Sequence, residues 1–87
     1  MSYKIKMAKS ALKDYEKIKT SVYHKTVKSL LEIIEENPYA FPPKFEYLKG
    51  DMEGYISRRI NKQHRLIYIV KNNDVIVVAM WTHYETF

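Results

Sequence analysis

Eighty-seven residues, 46% hydrophobic and 29% charged, make one globular domain spanning residues 1–87, with a modest core and no room for a second domain. The absence of cysteine excludes a disulfide framework and thiolate chemistry, and suits a reducing cytoplasm. Fifteen Lys and Arg against ten Asp and Glu, a formal charge of +5, favour an anionic partner such as RNA, a ribosome or an acidic peptide.

The opening Met1-Ser2-Tyr3-Lys4-Ile5-Lys6 has no apolar signal core, and no apolar run approaches membrane-spanning length, so neither secretion nor membrane insertion is expected. Tyr3, Ile5 and Met7 alternate with Lys4 and Lys6, the period of a half-exposed strand. Ser10 is placed to cap a helix in which Ala11, Tyr15, Ile18 and Val22 share a face, with a break at Thr20-Ser21. Tyr23, Val27, Leu30, Leu31 and Ile34 form a second helical stripe, which Asn37-Pro38 stops because proline disfavours helical geometry before it. Pro38, Pro42 and Pro43 bracket a loop that Tyr39, Phe41 and Phe45 anchor to the sheet. Three strands follow, from Tyr55 to Ile60, His64 to Val70 and Val75 to Tyr84. The order predicts an α+β fold, with two N-terminal antiparallel helices on one face of an antiparallel sheet of about four strands. The other face is left free to bind.

The basic side chains gather where the strands turn. Asn61-Lys62-Gln63 is a three-residue turn, and if Ile60 opposes His64 then Arg59 opposes Arg65 on one face. Two like charges so placed repel unless an anion lies between them, and the guanidinium fork suits a phosphate. Arg58, on the opposite face, is left to pair with a helix carboxylate or a partner protein.

The wording Leu48-Lys49, Gly54-Tyr55, Ser57-Arg58-Arg59-Ile60, His64-Arg65-Leu66, Tyr68 and His83-Tyr84 resembles the YoeB branch of the RelE-type toxin superfamily. The resemblance is strong over residues 44 to 84 and architectural before them. It implies a small messenger-RNA endonuclease that acts in the ribosomal A site and is silenced by an acidic, partly disordered, YefM-like antitoxin. Metal-free RNA cleavage needs a base for the ribose 2′-hydroxyl, a cation for the phosphate and an acid for the leaving oxygen. Glu46, Arg65 and His83 offer those groups, and the resemblance implies the same assignment. It adds Tyr84 as a supporting ring beside His83. Lys49 is expected to hold a neighbouring phosphate, or else to serve solubility alone. No cofactor or metal is expected, since no His or Cys cluster has ligand spacing. Homodimerisation is an expectation from the aromatic residues.

Two departures stand out. Trp81 occupies a place where relatives carry a basic residue, and is expected to stack on a base. Glu85-Thr86-Phe87 extends past the Tyr at which relatives end. The hairpin register matters as well: a tight Asn72-Asn73 turn would set Arg65 opposite Met80, whereas a bulge or odd-length turn would set it opposite Trp81, with His83 on the same side. The bulge or the odd-length turn is the expectation. Two rival readings remain, a non-catalytic module binding RNA, ribosome or antitoxin, and a structural partner protein whose arginines are salt-bridged internally.

Overall fold

The computed structural model describes residues 2–82, which form β1 (Lys4–Met7), α1 (Lys9–Lys19), α2 (His24–Glu36), β2 (Phe45–Tyr47), a short 3-10 turn (Gly50–Met52), β3 (Ile56–Arg59), β4 (Arg65–Lys71) and β5 (Asp74–Thr82). The sheet order is β1-β5-β4-β3-β2. Two features differ from the expectation. β1 runs parallel to β5, so the sheet is mixed, and β2 adds a fifth strand where the sequence suggested loop. Three residues beside prolines are too few for a period of two to show.

Both helices cover one face. Ala11 and Ile18 of α1 and Val27, Leu30 and Ile34 of α2 pack against Ile56, Leu66, Tyr68, Val75, Val77 and Met80. Burying each of the larger aliphatic side chains is worth about 1.5–3 kcal/mol, so these stripes hold the helices down far more than their ends do. Val22 departs from its expected stripe: α1 stops at Lys19, and Val22, in the connection to α2, is 85% exposed. The opposite face is not wholly open either. Leu48, with Met52 and Tyr55 of the segment around the 3-10 turn, packs over Ile67 and Ala79 as a second small core. Toward β2 that face is uncovered, with Glu46 and Arg59 exposed. Among the described residues no helix is long and apolar enough to cross a membrane.

β4 and β5 set the geometry of the rest. Lys71 pairs with Asp74 across the two-residue turn Asn72-Asn73, with Asn72 in the left-handed region at φ 57, where Asn is tolerated. The ladder then slips: Tyr68 pairs with Val77, Ile67 with Ala79 and Arg65 with Thr82. The tight turn and bulges coexist, and two extra residues in β5 carry Arg65 past the predicted partner Trp81 to Thr82. α1 satisfies the backbone groups at the slips. Ser10, within α1 rather than at its cap, donates its hydroxyl to the Val78 carbonyl at 2.7 Å, and the Met80 N–H donates to the Asp14 carboxylate at 2.9 Å. Ser10 and Asp14 lie one helical turn apart on the face that meets β5.

Arg58 holds β2 and the proline loop in place. It is 1% exposed, and the helix carboxylate expected for it is replaced by neutral acceptors. Nη1 donates to the Pro43 carbonyl at 2.7 Å, Nη2 to those of Pro38 and Ala40 at 3.1 and 2.9 Å, and Nε to the Tyr68 hydroxyl at 3.0 Å. Tyr68 in turn donates to the Pro38 carbonyl at 2.6 Å. The Phe45 ring lies 4.9 Å from the guanidinium carbon. A delocalised, weakly hydrated cation with a rigid fork suits this role, because it satisfies several loop carbonyls at once.

Two outcomes follow from this packing. Asp14→Ala strips the Met80 N–H of its acceptor and lowers stability by about 1–3 kcal/mol, read as a lower urea midpoint, whereas Asp14→Asn keeps an acceptor and loses less. Burial pushes the Tyr68 phenol up, partly offset by Arg58. The protonated form is thus favoured in the fold, so its contribution is whole below the ordinary value near 10 and is lost as pH rises through the elevated folded value. In alkaline denaturation followed by circular dichroism, Tyr68→Phe starts less stable by about 1–3 kcal/mol, and its stability declines less than that of the parent above pH of about 10. Parallel curves for the two proteins would show that Tyr68 does not titrate with unfolding.

Candidate RNA-cleavage groove

The uncovered end of the sheet carries a groove lined by Pro43, Lys44, Phe45 and Glu46 on one side and Ser57, Arg59 and Arg65 on the other. Its floor follows from the strand registers. β2 and β3 set Glu46 opposite Ser57, and β3 and β4 set Arg59 opposite Arg65. The hairpin geometry expected from the sequence is present, with the Ile60 N–H bonded to the His64 carbonyl at 3.0 Å. Asn61 closes the turn, its side-chain oxygen accepting from the N–H groups of Gln63 and His64 at 2.8 and 2.6 Å.

The electrostatics are lopsided. Among the described residues Lys44, Arg59 and Arg65 face one carboxylate, Glu46. Among the described residues neither Arg59 nor Arg65 forms an ion pair; Arg65 donates from Nη1 to the Asn61 carbonyl at 3.2 Å, and Arg59 stands exposed. Internal salt bridges of the kind required by the structural-partner reading are thus missing from this pair within the described residues. Two cross-strand guanidinium groups repel each other, and an anion bridging them removes that cost. Glu46 is exposed and likewise has no ion-pair partner among the described residues.

The other candidates are distributed differently. Lys49 is exposed at the start of the 3-10 turn and does not line the groove. Trp81, expected to offer a stacking face beside Arg65, packs on the helix side instead. Its ring lies 4.2 Å from that of His64 at an interplanar angle of 19°, and 6.1 Å from Tyr23. The second slip in β5 explains this, since it turns both Met80 and Trp81 toward the helix-side core. His64 is buried in this aromatic nest, edge-on to Tyr23, and its Nδ1 has no partner among the described residues. His83, Tyr84 and the tail Glu85-Thr86-Phe87 lie outside the described residues.

Sequence reasoning missed Ser57 and Lys44 as groove residues. Ser57 is 2% exposed, and its hydroxyl has no hydrogen-bond partner among the described residues. The available signal was its place two residues before Arg59, hence on the same face of β3. Its pairing with Glu46 could not be read, because β2 was not recognised as a strand.

Comparison with known proteins agrees with the fold. The family described as YoeB-like toxin of bacterial type II toxin-antitoxin system matches residues 7–84. A toxin YoeB from Synechocystis sp. is 36% identical over 61 residues, covering 70% of this chain and 71% of that protein. The structure of the YoeB dimer from Staphylococcus aureus is similar with a TM-score of 0.83 at 32% identity, over 97% of this chain and 100% of that one. A chain of the YoeB-YefM complex from the same organism gives 0.82 at 32% identity, with the same coverage. The match over nearly the whole sequence, together with the shared architecture, means that this chain belongs to the YoeB-like toxin family of bacterial type II toxin-antitoxin systems.

Proposed function

We propose that this toxin is a ribosome-dependent endoribonuclease that cleaves messenger RNA by metal-independent acid-base catalysis. The observation that carries the reading is the meeting of Glu46, on β2, with the opposed pair Arg59 and Arg65 of the β3–β4 hairpin in one groove on one sheet face. Glu46 takes the proton of the ribose 2′-hydroxyl, and the 2′-oxygen attacks phosphorus. Arg65 and Arg59 hold the phosphate while negative charge gathers on its oxygens. The bond from phosphorus to the 5′-oxygen breaks, and His83 supplies the proton that makes the 5′-hydroxyl product. Tyr84 steadies His83, and Lys49 holds a neighbouring phosphate. Trp81 has no contact with RNA in this scheme, because its ring is engaged with His64.

The reaction takes place in the cytoplasm, where messenger in the ribosomal A site is the substrate. A YefM-like acidic antitoxin neutralises the basic groove, as the complex of the Staphylococcus aureus relative suggests by analogy. Homodimerisation is proposed likewise, from that organism's YoeB dimer and from the exposed rings of Tyr39, Phe41 and Tyr47.

Primer extension on messenger-programmed ribosomes tests the chemistry. Glu46→Gln removes the base and slows cleavage by about 10²–10⁴-fold while leaving ribosome association intact. Cleavage at the parent rate would leave a binding module of the same fold as the surviving reading. The phosphate cradle has its own signature. Affinity for a short single-stranded RNA falls as salt rises, and Arg59→Ala makes the slope of log affinity against log salt shallower by about 0.7, the value for one lost phosphate contact. A slope untouched by the substitution removes Arg59 from the cradle.

A further inference from the structure

We propose that Ser57 is a positioning residue for Glu46, its hydroxyl donating a hydrogen bond to the Glu46 carboxylate once RNA fills the groove. The inference rests on the reading of Glu46 as the base and adds to it a residue that holds the base. Ser57 sits in a row that crosses the sheet from Glu46 through Ser57 to Ile67 and Ala79. The last two belong to the small apolar core on that face. At a position so enclosed an alanine would continue the core, whereas a serine whose hydroxyl is buried without a partner among the described residues is destabilising. The packing therefore gives no reason for the hydroxyl.

The groove does give one. Ser57 is the direct cross-strand neighbour of Glu46, and such pairs hold their Cβ atoms about 4.5–5.5 Å apart, within reach of a glutamate carboxylate. In the free protein that carboxylate is exposed and can take its hydrogen bonds from water. RNA laid along the groove displaces this water and engages Lys44, Arg59 and Arg65 through its phosphates. The Ser57 hydroxyl, directly across the two strands, is then a donor within reach of Glu46. One such bond fixes which way the carboxylate oxygen points, and so whether it meets the ribose 2′-hydroxyl in line for proton transfer.

The test is single-turnover cleavage on messenger-programmed ribosomes with the full-length protein. Ser57→Ala lowers the cleavage rate at saturating toxin by about tenfold, the effect of one lost hydrogen bond to a charged group, and leaves the half-saturating concentration unchanged. Its melting temperature stays level or rises, because an unpaired buried hydroxyl has gone. In a Glu46→Ala background the same substitution costs nothing further, since the two residues act as a unit. An unchanged rate, a loss that follows a fall in melting temperature, a rise in the half-saturating concentration or an equal loss in the Glu46→Ala background each overturns the proposal. The two readings fail separately. If Glu46→Ala cleaves at the parent rate, the assignment of the base falls and this inference with it; if Glu46→Ala is inactive and Ser57→Ala is normal, only the role of Ser57 falls.

Discussion

One buried guanidinium decides whether this fold has a groove at all. The segment from Asn37 to Lys44 has no regular structure, and its carbonyls at Pro38, Ala40 and Pro43 converge on Arg58. Four of the five N–H donors of that side chain are accounted for, three by the loop and one by Tyr68. The arrangement dispenses with a carboxylate. Dispersing the charge over several carbonyl dipoles, a phenol and the Phe45 ring keeps a buried cation tolerable, where an isolated one would be expelled. Because Phe45 and Pro43 are fastened this way, β2 lies against β3, and Glu46 is delivered to Ser57.

A second constraint operates at the opposite edge of the hairpin. Bulges in β5 would ordinarily leave backbone groups unsatisfied, and α1 supplies Ser10 and Asp14 to meet them. Helix and irregular strand thus specify each other: the helix is docked by two polar contacts as well as by its apolar stripe, and the strand keeps its slip. The consequence reaches the groove through register. Each extra residue exchanges the faces of all that follow, so the slip sends Trp81 to the helices and brings the backbone of Thr82 opposite Arg65.

The groove also shows where the protein departs from the rules that stabilise the rest. Among the described residues Arg59 faces Arg65 without an intervening carboxylate, and the buried Ser57 hydroxyl has no partner. Arg58, by contrast, shows that a buried polar group can be satisfied several times over. An anion placed between the two guanidinium groups would remove their mutual repulsion.

The order of elements, the apolar stripes of both helices and the opposition of Arg59 and Arg65 were legible in the sequence, because each rests on short-range periodicity or on a turn of defined length. Glu46, Lys49, Trp81 and His83 could be singled out by residue type and by resemblance, but not placed. Placement depended on contacts between residues far apart in the chain. The parallel pairing of β1 with β5, the strand character of Phe45–Tyr47, the burial of Arg58 under the proline loop and the double slip in β5 all arise from backbone groups finding partners 9 to 70 residues away. Local sequence carries the propensity of an element, whereas its register is settled only when every backbone donor and acceptor must be satisfied together. For that reason the sequence alone suggested a chemistry, and the tertiary structure decided which of the described side chains share the groove.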